Sequence, residues 1–238
     1  MNLDDFENEH LDEDVYVLGS GPSLSYLQPS FFARKVVVAT NAVAERLGLY
    51  GLTPWLYTHS HYHEETYQLA EKYRAKLFFT PEGDRGLAGT PGRLDLKNVI
   101  HYPHKPTVYD FDVHAAWPPA GGLLVGSTSM HGAMHLAAHM GAANIIMVGA
   151  DCGTINGQAN HGEYVSGNLA TSEPYQWLSR WDKHLRQVKQ ALMDHYPGLQ
   201  VVSLNPFVNL NLEGNHFSGG SRAGLCQTCG MHCADLHA

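Results

Sequence analysis

Basic residues are scarce in this 238-residue chain and unevenly spread: 15 Lys and Arg stand against 23 Asp and Glu, a formal charge of −8. Seven acids (Asp4, Asp5, Glu7, Glu9, Asp12, Glu13 and Asp14) precede the first basic residue, Arg34, which leaves 16 acids against 15 bases downstream. A near-neutral body without a basic stripe argues against a nucleic-acid partner. No apolar run reaches membrane-spanning length, and the acidic start lacks the basic region of a secretory signal, so a cytoplasmic protein is expected. Cysteine is rare too. Three of the four sit near the C-terminus and Cys152 stands alone, so extracellular disulfides are not expected. No internal repeat and no convincing linker divides the chain. The hydrophobic fraction of 44% is ordinary for a soluble domain. The expected organisation is an acidic, solvated and partly disordered arm over 1–14, one α/β domain over 15–217, and a Gly/Cys/His-rich tail over 218–238.

What is present begins with Val15-Tyr16-Val17-Leu18, a short apolar strand running into Gly19-Ser20-Gly21-Pro22-Ser23-Leu24. Two glycines at the end of a buried strand let backbone approach a ligand closely, and a helix starting there favours phosphate. The dinucleotide fingerprint requires a third glycine where this chain has Leu24, so NAD is not the expected ligand. A second stretch has the same design. Gly126-Ser127-Thr128-Ser129 opens a helix for which Ser127 is the expected N-cap, with Met130, Ala133, Met134 and Ala137 on one apolar face and Gly141 as its stop. Asn144-Ile145-Ile146-Met147-Val148-Gly149-Ala150-Asp151 then reads as a buried strand with an acid at its carboxyl end, where open α/β sheets bind ligands. A structural helix–strand unit with a capping Asp151 is the competing reading.

Strands are expected near 15–19, 35–40, 55–58, 76–79, 98–101, 144–149 and 199–204, and helices over 42–47, 64–73, 129–140 and 173–195. The last helix carries an apolar stripe of Leu178, Trp181, Leu185, Val188 and Leu192 and ends at Pro197-Gly198. Strands alternating with helices predict a mostly parallel sheet covered on both faces. The Pro- and Gly-rich segment between His101 and Gly126 has the length of a lid or substrate loop.

Taken in order, Gly19-Ser20-Gly21-Pro22-Ser23-Leu24, Thr40-Asn41, Gly126-Ser127-Thr128-Ser129 and Gly149-Ala150-Asp151 resemble a superfamily. It comprises bacterial sialyltransferases, the motility accessory factors of flagellin glycosylation, and the archaeal 6-hydroxymethylpterin diphosphokinase-like domain. Gly149-Ala150-Asp151-Cys152-Gly153, followed by Asn156-Gly157 and His161, is most similar to the motility-factor pattern. The likeness spans roughly 15–210. It implies a Rossmann-like fold and a nucleotide ligand, in the sialyltransferase branch a CMP-activated acidic sugar transferred with inversion and without a metal. By the same resemblance, Gly19, Ser20, Gly21, Pro22 and Ser23 would hold phosphate or ribose and Asn41 would bond the nucleotide. Ser127, Thr128 and Ser129 would contact donor carboxylate or phosphate, and Gly149 and Asp151 would meet ribose or base. The acceptor would be an unidentified hydroxyl compound. Where the sialyltransferases place a histidine base and phosphate-binding tyrosines, this chain offers His161 and Tyr164, with Tyr175 further on. An imidazole titrates near working pH and suits removal of a hydroxyl proton. Its competing reading is a solvent-facing loop histidine. Two other functions remain open: a diphosphokinase moving pyrophosphate from ATP with Mg²⁺ held by carboxylates such as Asp151, Glu82 and Asp84, and a nucleotide- or sugar-binding module without turnover.

The other histidines read more plainly. His131, His135 and His139 recur every four residues, and a polar helix face opposite the apolar one is expected of them rather than a zinc site. His59, His61 and His63 follow the third strand, near the ligand or in its loop. In the tail, Cys226 and Cys229, then Cys233 and His237, supply the four soft ligands of a structural zinc site. A free reduced tail, or a ligand set completed by another subunit of a homo-oligomer, fits the same residues.

Overall fold

The computed structural model describes residues 2–21, 23–24, 27, 29–40, 43, 55–59, 75, 77–80, 99–102, 105, 111–118, 120–150, 152 and 174–204. Seven strands lie among them: β1 (Asp14–Leu18), β2 (Val36–Thr40), β3 (Trp55–His59), β4 (Leu77–Thr80), β5 (Val99–His101), β6 (Asn144–Val148) and β7 (Gln200–Ser203). They form one sheet in the order β5-β4-β3-β2-β1-β6-β7, and each of its six pairings is parallel. Three α-helices whose bounds lie among the described residues accompany it: α1 (Val113–Ala116), α2 (Ser129–His139) and α3 (Pro174–His195). The architecture is α/β.

Burial explains why the strands read as continuous apolar runs. Val15, Tyr16, Val17 and Leu18 are all buried, as are Ile145 to Val148, so both faces of the central strands are covered. Val15, Val17, Val38, Tyr57, Ile145, Met147 and Val201 point to one face and join a single core with α1, α2 and α3. On the other face, Tyr16 meets the rings of Phe31 and Phe32 edge-on, from a 3-10 turn at Pro29–Phe32. Fully burying one such side chain stabilises by about 1.5–3 kcal/mol.

Helix α2 lies against β1, β2 and β3 on one side and α3 on the other. It is therefore buried all round from Met130 to Ala138, and the expected polar face is a second packing face instead. Its small residues permit this. Gly132 faces the Tyr57 hydroxyl, which occupies the space a side chain there would need. Gly141, at φ +86°, stops the helix as its position predicts. The expected Ser127 cap is corrected. Thr128 is the N-cap, in extended conformation, because the helix begins one residue later than the serine would require.

Two further expectations change. The N-terminal arm is docked rather than disordered, although its acids are exposed. Leu3 and Phe6 are buried, and the N–H groups of Asn8, His10 and Asp12 donate to the carbonyls of His139, Met140 and Gly141 at 3.2, 2.8 and 3.0 Å. Those carbonyls belong to the C-terminal end of α2, whose last turn has no partners within the helix. The second half of the expected lid is also core. Phe111, Val113, Ala116, Leu123, Leu124 and Val125 are buried, and Asp112 caps α1 by accepting from the N–H groups of His114 and Ala115.

Candidate functional site

The strand order reverses between β1 and β6. From β1 the chain builds β2 to β5 on one side, then returns to place β6 and β7 on the other. In open α/β sheets, the carboxyl ends of the strands at such a reversal are where ligands bind. The two turns at this reversal are Gly19-Ser20-Gly21 and Gly149-Ala150, the glycine motifs singled out in the sequence.

The turns are joined backbone to backbone. The Gly19 N–H donates to the Val148 carbonyl and the Gly21 N–H to the Gly149 carbonyl, both at 2.8 Å. A β-carbon on Gly19 would lie 2.6 Å from the Gly149 oxygen and 2.9 Å from the Met130 sulfur. Gly149 adopts φ +67°, and a β-carbon there would run into the Gly19 carbonyl. Glycine is thus required at both positions, by contact and by conformation. The Thr40 hydroxyl donates to the Leu18 carbonyl at 2.8 Å and ties the end of β2 to the end of β1.

The Met130 contact also fixes where α2 begins, beside the β1 turn. Ser127, Thr128 and Ser129 are half-exposed at this end. Thr128 places no side-chain acceptor on the first-turn N–H groups, and its own hydroxyl has no partner among the described residues. The Ser127 hydroxyl is 2.8 Å from Nδ1 of His184 on α3. No lysine or arginine occurs in residues 19–21, 126–130 or 148–150. With the Gly19 and Gly21 N–H groups engaged in the cross-bonds, these segments can meet an anion with the Thr128 hydroxyl and the positive end of α2, and they carry no lysine or arginine of their own.

Of the residues expected at the site, Gly19, Ser20, Gly21, Ser23, Ser127, Thr128, Ser129 and Gly149 lie on the segments around this reversal, and Ser23 is buried. Pro22, Asn41, Asp151, His161 and Tyr164 lie outside the described residues, as do Cys226, Cys229, Cys233 and His237. Asn41 directly follows Thr40, and Asp151 falls between the buried Ala150 and the partly buried Cys152. His184 was missed. A signal for it existed, because it sits three residues after Trp181 and four before Val188, a titratable group inside the apolar stripe of α3.

On α2, His131 and His135 are interior residues and His139 is partly buried. His131 stacks on Phe111 with ring centroids 5.1 Å apart. At His135, Nδ1 accepts from the Leu124 N–H at 2.9 Å, so the ring proton is on Nε2, which donates to the Tyr196 hydroxyl at 2.9 Å. Burial, with the charges of His139 and His195 adding to it, lowers the His135 pKa from 6.5 to about 3. Nε2 of His139 donates to the Leu3 carbonyl at 3.1 Å. Among the described residues, no three His, Cys, Asp or Glu are grouped to hold a metal, and no helix is long and apolar enough to cross a membrane. Comparison with known proteins found no match: no family model, no curated protein and no solved structure is similar enough to this chain to say which family it belongs to.

Proposed function

We propose that this chain is a transferase with a Rossmann-like fold that binds a nucleotide at the β1/β6 reversal and moves an acidic sugar from a CMP-activated donor to a hydroxyl acceptor. One observation carries the reading. The turns at Gly19 and Gly149, 130 positions apart in the sequence, bond to each other at the strand-order reversal, with the start of α2 beside them. An uncapped helix start beside the joined turns suits a phosphate held by the first-turn N–H groups of α2 and nearby hydroxyls. The sialyltransferase-like order of motifs supports a CMP donor over other nucleotides. In that chemistry His161 takes the acceptor's hydroxyl proton while the bond from the sugar to the CMP phosphate breaks. Asp151 accepts from ribose hydroxyls, and Asn41 and Tyr164 complete the hold on the nucleotide.

A thermal-shift panel of CMP, CDP, UDP, GDP, ADP and ATP, with and without Mg²⁺, tests this directly. Ligand at a hundredfold its Kd stabilises a protein by about 2.7 kcal/mol, which is readily measured. CMP or CDP should raise the melting temperature without Mg²⁺. Stabilisation by ATP only when Mg²⁺ is present would replace the glycosyltransferase with a diphosphokinase. Stabilisation by CMP, with no transfer from any CMP-sugar and no effect of His161→Ala, would leave a binding module.

A further inference from the structure

We infer that His184 is a positioning residue of the nucleotide site, acting through Ser127; the inference rests on the nucleotide reading above. The two residues are 57 positions apart, yet the Ser127 hydroxyl and His184 Nδ1 are 2.8 Å from each other. Their surroundings differ. His184 is buried at 3% exposure, whereas Ser127 is half-exposed just before the start of α2, the helix whose Met130 reaches the Gly19 turn. The serine thus links an enclosed ring to the half-exposed start of α2.

The ring is held firmly. Phe111 packs against it at 4.9 Å between centroids, and His131 meets it edge-on at 6.2 Å. Its neighbours Leu185 and Val188 on α3 are buried. An imidazole fixed in this way fixes the hydroxyl that it touches. A serine hydroxyl has one hydrogen and two lone pairs, and its hydrogen otherwise rotates freely. When Nδ1 carries the proton, the ring donates to the serine oxygen, and the serine hydrogen is left to point at a phosphate or carboxylate oxygen. When Nδ1 is bare, the serine hydrogen turns to the ring and the oxygen's lone pairs face the ligand. An anion selects the first arrangement. The resulting chain, ring N–H to serine oxygen and serine O–H to anion, polarises each bond in turn. His184 touches no ligand in this scheme. It sets the direction of the group that does.

The test compares wild type with Ser127→Ala, His184→Phe, His184→Asn and the double variant Ser127→Ala/His184→Phe. Each is titrated calorimetrically with CMP and with ADP, and each is unfolded in urea. Ser127→Ala and His184→Phe should each weaken nucleotide affinity about fivefold to tenfold, the scale of one hydrogen bond. The double variant should be no weaker than the worse single one, because both changes remove the same directed hydroxyl. His184→Asn, whose amide reaches the position of Nδ1, should recover most of the affinity. Should His184→Phe not fold, Ser127→Ala and His184→Asn carry the comparison. Variants that lose stability but keep wild-type affinity would overturn the inference, as would additive losses in the double variant. Wild-type protein that binds neither nucleotide would instead overturn the nucleotide reading, and this inference with it.

Discussion

The Tyr57 hydroxyl lies directly beneath Gly132, in the volume where any other residue would carry its β-carbon. Tyr57 comes from β3 and Gly132 from the middle of α2, so this contact sets how closely helix and sheet approach. The Tyr102 hydroxyl donates to the Tyr57 oxygen at 2.7 Å, and burial, followed by the neighbouring Tyr57, holds the Tyr102 phenol well above its usual pKa. The Tyr102 hydroxyl therefore stays neutral and keeps its proton for the bond to Tyr57. Helix propensity alone would make Gly132→Ala stabilising by about 1 kcal/mol. Overpacking costs about 1–3 kcal/mol, and neither the buried tyrosine nor the nearby Leu124 carbonyl can give way cheaply. Net destabilisation is expected in urea unfolding. Adding Tyr57→Phe, which removes the obstructing oxygen, should recover part of it. A Gly132→Ala variant as stable as wild type would show that helix and sheet are less closely packed than described.

Gly149→Ala tests the joined turns themselves. At φ +67° an alanine costs about 1–2 kcal/mol in backbone strain, and its methyl group would meet the Gly19 carbonyl. The two turns should separate and their cross-bonds should be lost. The expected result is a lower melting temperature together with loss of nucleotide-induced stabilisation. Asp151→Ala should leave the turns intact and weaken nucleotide binding by about 1.5–3 kcal/mol, the scale of a charge-assisted hydrogen bond. A stability loss at Asp151 without an affinity loss would favour a structural cap.

Buried parallel strands are legible because both faces are apolar, and all seven lie within a residue or two of the expected positions. Helices α2 and α3 are equally clear from their spacing. The misreadings concern side chains that are polar in type but satisfied by distant partners. His135 is paired with Leu124 and Tyr196, 11 and 61 residues away, so nothing local in the sequence marks it as interior. In the acidic arm, Leu3 and Phe6 carry the docking, and their signal is hidden among seven exposed acids. The segment 111–126 reads as a loop because its two prolines and three glycines interrupt the spacing of its apolar residues. At the site, the glycine turns were readable because only glycine fits there. His184 was readable as an interior position from its place in the apolar stripe of α3, but its contact with Ser127, 57 residues away, was not.

The tail from Cys226 to His237 is expected to bind one zinc ion per chain. Three thiolates and one imidazole satisfy four-coordinate Zn²⁺ and leave no open position, so the role would be structural. His232 is the competing nitrogen ligand, but it adjoins Cys233, which makes simultaneous binding through both awkward. Elemental analysis of protein purified without a histidine tag should find about one zinc per chain, and Cys229→Ser should lower it sharply. Chelation should leave nucleotide binding unchanged. Metal-free protein with three freely titratable tail thiols would sink the idea.

Acid should weaken the fold through His135. Its folded pKa is lowered from 6.5 to about 3, so between those values the unfolded chain binds a proton that the folded one refuses. Stability from this group is fully present above pH 6.5 and is lost as the pH falls towards 3. Tyr196, the partner that accepts from Nε2, stays protonated throughout, since burial and then the Glu7 charge push its pKa up to about 12. Only the imidazole therefore titrates within the pair. From pH 7.5 to 5, one such proton corresponds to about 2 kcal/mol. Urea unfolding at both pH values should show wild type losing roughly that much more than His135→Gln, which keeps hydrogen-bonding groups but cannot titrate. The other histidines contribute to both proteins and cancel in the difference. An equal acid sensitivity in the two proteins would mean that His135 accepts its proton while folded, and that its contacts to Leu124 and Tyr196 give way without cost.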